Sequence, residues 1–74
     1  MEEVTNLNDA NYCVILSESF GKKRVIKKIY FNADSPNYIP DMIAWVANYY
    51  GYLIVENVKI ECYHCNNGLV YARQ

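Results

Sequence analysis

Residues 11–20 (NYCVILSESF) carry apolar side chains on both phases of a two-residue alternation, Tyr12, Val14 and Leu16 on one and Cys13 and Ile15 on the other. That pattern predicts a central strand, buried on both sides for part of its length. Phe20-Gly21-Lys22-Lys23 follows as a turn in which Gly21 is free to take positive φ. Residues 24–32 (RVIKKIYFN) return as a second strand. Val25, Ile29 and Phe31 share one phase, which Lys27 interrupts, while Ile26, Lys28 and Tyr30 take the other. The two strands form a hairpin with a basic tip.

The period then changes. In residues 34–51 (DSPNYIPDMIAWVANYYG), Ile39, Met42, Ile43, Val46, Tyr49 and Tyr50 follow the spacing of one apolar helix face. This helix is the element the rest of the chain is built around. Two prolines compete to set its start. With Ser35 as cap and Pro36 first in the helix, Pro40 would clash with the carbonyl four residues back. Asn37 as N-cap instead places Pro40 in the first turn and Asp41 near the positive end of the helix dipole, so Asn37 is the expected cap. Gly51 suits the helix end. Tyr38 and Trp45 lie on the flank of the apolar stripe, and Ala44 and Ala47 make the opposite side small.

Residues 52–64 read as a third strand with a break at Glu56-Asn57, after which Val58, Ile60 and Cys62 alternate with Lys59, Glu61 and Tyr63. A rival reading extends the helix through Leu53 and Ile54. Asn66-Asn67-Gly68 marks a hairpin turn into a last strand, residues 69–73. A two-residue turn would pair His64 with Tyr71, and a three-residue loop Glu61 with Arg73. The expected fold is α+β, ββαββ: an antiparallel sheet of about four strands with one helix packed on one face. Residues 1–10 show no periodicity and read as a flexible lead-in to a single domain over residues 11–74.

Composition narrows the class. Seventy-four residues, 53% of them hydrophobic, make one globular domain near the lower size limit for an unstapled core. Eight tyrosines cannot all be hidden in so short a chain, and tyrosine-rich surface is the stuff of binding patches. The apolar runs are too short to span a bilayer, so no membrane partner is expected. The acidic, polar start is unlike a secretory signal peptide, and three cysteines without one predict free thiols in a reducing, cytoplasmic setting.

Candidate chemistry is sparse. Cys62-Tyr63-His64-Cys65 resembles half of a zinc knuckle, but structural zinc takes four ligands, and on a regular strand Cys62 and Cys65 point to opposite faces. A redox role would want the first cysteine at a helix N-terminus. His64 is the one histidine, without an oriented nucleophile legible beside it, so no catalytic residues and no cofactor are expected and the chain reads as a non-enzyme.

Interaction signals are stronger. Five of the seven Lys/Arg fall in residues 22–28: Lys22, Lys23, Arg24, Lys27 and Lys28. They suit phosphates, with Tyr30 and Phe31 near enough to stack on bases, although the net charge of −1 is unlike that of a dedicated nucleic-acid binder. The plainer reading is a lysine-protected edge strand. Tyr38, Asp41 and Trp45, with Tyr49 and Tyr52, form a second patch. The leading expectation is a non-enzymatic protein-binding module that occludes a macromolecular surface, such as that of a nucleoprotein complex. The abundance of Asn, Tyr, Ile and Lys, whose codons are AT-rich, suggests a phage or mobile-element inhibitor of a host defence machine, anti-CRISPR-like and acting in the host cytoplasm. The alternatives are nucleic-acid binding through residues 22–28, then a zinc-stapled module. The free sheet face or an open edge would also admit a second copy of the chain.

Overall fold

The strand apolar on both phases, β2 (Tyr12–Glu18), is the middle of the sheet, with Tyr12, Val14 and Leu16 buried on one face and Cys13 and Ile15 half-buried on the other. The computed structural model describes residues 1–50 and 57–73. β3 (Val25–Asn32) pairs with one edge of β2 and β4 (Val58–His64) with the other. β5 (Gly68–Arg73) lies outside β4, and β1 (Glu2–Val4) lies outside β3. The order is β1-β3-β2-β4-β5, with every neighbouring pair antiparallel. The sheet therefore has five strands. The additional one, β1, is too short to produce a periodic signal.

α1 (Ile39–Tyr50) covers one face of this sheet. Met42, Ile43 and Val46 pack on Val14, Leu16, Ile29, Phe31, Ile60 and Cys62, the core of the protein. Val58, Ile60 and Cys62 are buried and alternate with half-buried Lys59, Glu61 and Tyr63, as their spacing predicts. Two helix positions depart from expectation. Ala47 is fully buried rather than on a small outer side, and Tyr49 is 69% exposed rather than on the apolar stripe.

The helix start also differs. Ser35, not Asn37, is the cap: its Oγ accepts the Asn37 N–H at 3.1 Å, and Pro36 opens a 3-10 turn, Pro36–Tyr38. That turn removes the clash expected at Pro40. The Ile39 N–H already bonds the Pro36 carbonyl, so Pro40 has no helical acceptor to lose.

Bulges explain two further departures. Leu16 pairs with Lys27 but Ser17 pairs with Val25, so Ile26 is an extra residue in β3. The insertion moves Val25 off the phase of Ile29 and Phe31 and onto the uncovered face beside Ser17. In the second hairpin His64 pairs with Gly68 and Cys62 with Tyr71, with Val70 inserted between the pairs. Neither register expected from the turn residues is adopted, because the turn is Cys65-Asn66-Asn67, with Gly68 (φ +74) already in the last strand opposite His64. The expected helix end at Gly51, the strand start at Tyr52, the break at Glu56 and the helix extension through Leu53 and Ile54 lie outside the described residues.

Asn11 locks the end of the sheet away from the basic hairpin. Its Nδ2 donates to the Ala33 carbonyl at 2.7 Å and its Oδ1 accepts the Ala33 N–H at 3.0 Å. Its own N–H bonds the Phe31 carbonyl, and its carbonyl accepts the Cys65 N–H. One side chain thus holds the exit of β3 towards the helix, and the same residue's backbone holds the exit of β4. Asn11→Ala leaves both polar groups of buried Ala33 without these partners and is expected to cost about 2–4 kcal/mol in denaturant unfolding. Asn11→Asp keeps the acceptor but sets a carboxylate oxygen against the Ala33 carbonyl, so it is expected to cost at least as much. A loss below about 0.5 kcal/mol for the alanine variant would show that the clamp contributes little.

Candidate interaction surfaces

The expected site residues fall into two groups at different places. Lys22, Lys23 and Arg24 are exposed in the β2–β3 turn, where Gly21 and Lys23 take φ +71 and +54. Arg24 closes the turn through its backbone: its N–H donates to Glu18 Oε1 and its carbonyl accepts the Glu18 N–H. Lys27 and Lys28 are exposed on opposite faces of β3, in the rows of Leu16 and Ile15. Three apolar side chains share this tip, Phe20 at 70% exposure, Val25 at 54% and Ile26 at 43%. Phe20 was not legible as a surface candidate from strand phase. The available signal was its place beside Gly21, inside a tight turn where no core can reach a large ring.

The second group runs along the helix. Asp41, Trp45 and Tyr49 are spaced four apart and so line one side of α1, with Tyr38 in the preceding 3-10 turn. Trp45 is half-buried, its ring meeting Phe31 edge-on at 5.7 Å. Tyr49 stacks on it with ring centroids 4.9 Å apart and ring planes nearly parallel. Trp45 therefore both closes the core edge and fixes an outer ring. Tyr38 and Asp41 are exposed. The helix leaves the end of the sheet locked by Asn11, and after residues 51–56 the chain rejoins it at Asn57, whose carbonyl bonds Ser19 next to the basic turn. Tyr38 and Asp41 thus stand at the opposite end from Lys22, Lys23 and Arg24.

Among the described residues no α-helix lies over the other sheet face, and only the 3-10 turn Leu7–Asp9 borders its edge. Cys13, Ile15, Lys28, Tyr30, Lys59, Glu61 and Tyr63 share that face. Glu61 ties a polar row together: its Oε2 accepts a hydrogen bond from the Tyr63 hydroxyl at 3.1 Å and pairs with the Lys59 ammonium at 3.5 Å. Donation to that carboxylate is the main reason the Tyr63 phenol is pushed above its ordinary range. A groove of about 330 Å³ runs from this row to Lys23 and Val25, with the unpartnered hydroxyl of Ser19 on its wall. A second hollow of about 130 Å³, lined mostly by carbon, lies between Leu7, Cys13, Tyr30, Tyr63 and Cys65.

The cysteines are kept apart. Cys62 pairs with Val14 and is fully buried under the helix, Cys13 is on the opposite face, and Cys65 is exposed in the turn. His64 sets its ring edge-on to Tyr12 at 4.8 Å and accepts the Asn66 N–H on Nδ1, a turn-stabilising role. Among the described residues no three His, Cys, Asp or Glu side chains are placed to share a metal ion. Nor is any described helix long and apolar enough to cross a membrane.

Burial pushes the Cys62 thiol up from 9.0 to about 11, and nearby Cys13 adds to the rise. The Cys13 thiol is also raised by burial, with Lys28 acting against it. Above pH 9 the unfolded chain releases the Cys62 proton while the folded chain keeps it, so stability falls as pH rises from about 9 to about 11. Cys62→Ala should flatten much of that limb in thermal melts taken across this range. At neutral pH a thiol reagent should label Cys65 at least ~100-fold faster than Cys62, with Cys13 between. Equal labelling of Cys62 in the native protein, read by mass spectrometry, would contradict its burial. No protein-family model, curated protein or solved structure matches this chain.

Proposed function

We propose that the chain is a non-enzymatic protein-binding module whose contact surface is the helix flank Tyr38, Asp41, Trp45 and Tyr49. The observation that carries this reading is the stacked ring pair. Tyr49 is mostly exposed yet held flat against Trp45, which is itself seated on core Phe31. A ring fixed before contact loses little freedom on binding, and such rings are the usual anchors of interfaces. Asp41 and Tyr38 add a charge and a second hydroxyl-bearing ring along the same ridge. In its specific form, suggested by size and AT-rich composition, the module occludes the surface of a host defence machine.

The test is affinity capture from nuclease-treated lysate of the source cell, followed by binding measurements with the captured protein. A stoichiometric protein partner should survive both nuclease and moderate salt. Tyr49→Ala together with Tyr38→Ala should weaken it by about 2 kcal/mol, roughly thirtyfold in Kd, while the loss of the Trp45 stack lowers stability by no more than about 1.5 kcal/mol and leaves the protein folded at the assay temperature. Recovery of nucleic acid alone, lost as salt rises, would replace this reading with nucleic-acid binding through Lys22, Lys23, Arg24, Lys27 and Lys28.

A further inference from the structure

Net charge conceals a strong segregation of charge along the sheet. Lys28, Lys27 and Lys59 pair with Ile15, Leu16 and Ser17, and Arg73 pairs with Ile60 in the Leu16 row. Lys22, Lys23 and Arg24 lie in the turn beyond them. All seven cations of the chain therefore sit in the half of the sheet that ends in the β2–β3 turn. Glu2 and Glu3 pair with Asn32 and Phe31 at the other end. Asp9 stands beside Asn32, which donates to its carbonyl, and Asp34 follows the Asn11–Ala33 clamp. Of the described carboxylates only Glu18 and Glu61 belong to the cationic half, and each accepts a hydrogen bond there.

The cationic end is also the most apolar exposed part of the hairpin. Phe20, Val25 and Ile26 are all exposed there, beside Lys22, Lys23 and Arg24. The last row shared with β4 pairs Glu18 with Val58, the Ser19 N–H bonds the Asn57 carbonyl just beyond it, and Phe20 to Arg24 follow in the turn.

The geometry points to an anionic lipid bilayer as the partner of this tip, engaged at its surface and not spanned. Phe20, Val25 and Ile26 enter the boundary between headgroups and acyl chains, and the surrounding lysines and Arg24 meet lipid phosphates and carboxylates. The two aliphatic side chains favour lipid over nucleic acid. Bases reward aromatic stacking, which Val25 and Ile26 cannot supply, whereas all three side chains leave water in a bilayer interface. Carboxylates at the far end are repelled by the same surface, so the protein stands on its hairpin with Tyr38 and Asp41 turned away. This contact is independent of the protein-binding reading of the helix flank.

Co-sedimentation with phosphatidylcholine vesicles, with and without phosphatidylserine, tests the inference. Binding should require phosphatidylserine and weaken as salt rises. Phe20→Ser should weaken it about tenfold, and the triple Lys22/Lys23/Arg24→Ala variant should lose it, both with an unchanged melting temperature. Absence of wild-type binding to phosphatidylserine vesicles overturns the proposal, including when an oligothymidylate probe binds instead. Vesicle binding that Phe20→Ser leaves intact also overturns it, since the tip would then adsorb by charge without insertion.

Discussion

The structure depends on β2 being apolar on both faces and both edges being paired. One phase of that strand, Tyr12, Val14 and Leu16, builds the floor of the core, and the other phase, Cys13 and Ile15, lies half-buried on the uncovered face. A strand apolar on both faces is best buried in the middle of a sheet, where β3 and β4 flank it although the helix separates them in sequence. The helix then has one face to cover and one direction to travel, from the Asn11–Ala33 clamp back towards the basic turn.

That route distributes the surface chemistry. Residues adjacent in the sequence pattern, such as the lysine-rich hairpin and the tyrosine at the helix start, end up at opposite ends of the molecule. Residues far apart in sequence, such as Lys28, Lys59 and Arg73, end up in the same half. A net charge of −1 is the sum of two unlike ends and describes neither. The aromatic ridge gains its order from the core beneath it, because Trp45 reaches inward to Phe31 and outward to Tyr49.

Much of the architecture was legible in side-chain spacing. The two-phase apolar content of residues 12–16 marked the central strand, and Met42, Ile43 and Val46 marked the buried helix face. The alternation from Val58 to Cys62 marked the half-buried strand. What spacing could not carry was backbone irregularity. The Ile26 bulge inverts the face of Val25, and the turn at residues 65–67 with the extra residue Val70 sets the last hairpin. A 3-10 turn makes Ser35 an acceptable cap by changing which carbonyl needs a donor. β1 has three residues, fewer than any periodic pattern requires, and its pairing is set by an edge that β3 leaves open. Of the candidate surfaces, the lysines and the helix flank were visible as residue types. Phe20 was not, because its exposure follows from the turn and not from its own chemistry.

The pairing of β2 with β4 also shapes how the chain reaches this structure. Each flanking hairpin closes through a short turn, but residues joined across β2 and β4 lie between 40 and 52 positions apart in the chain. Hairpins of this kind form in about 1–10 μs, whereas the central seam has to close a loop that contains the entire helix. The pairs Val14–Cys62 and Leu16–Ile60 therefore carry the largest loop-closure cost in the fold, and the core they build is what repays it.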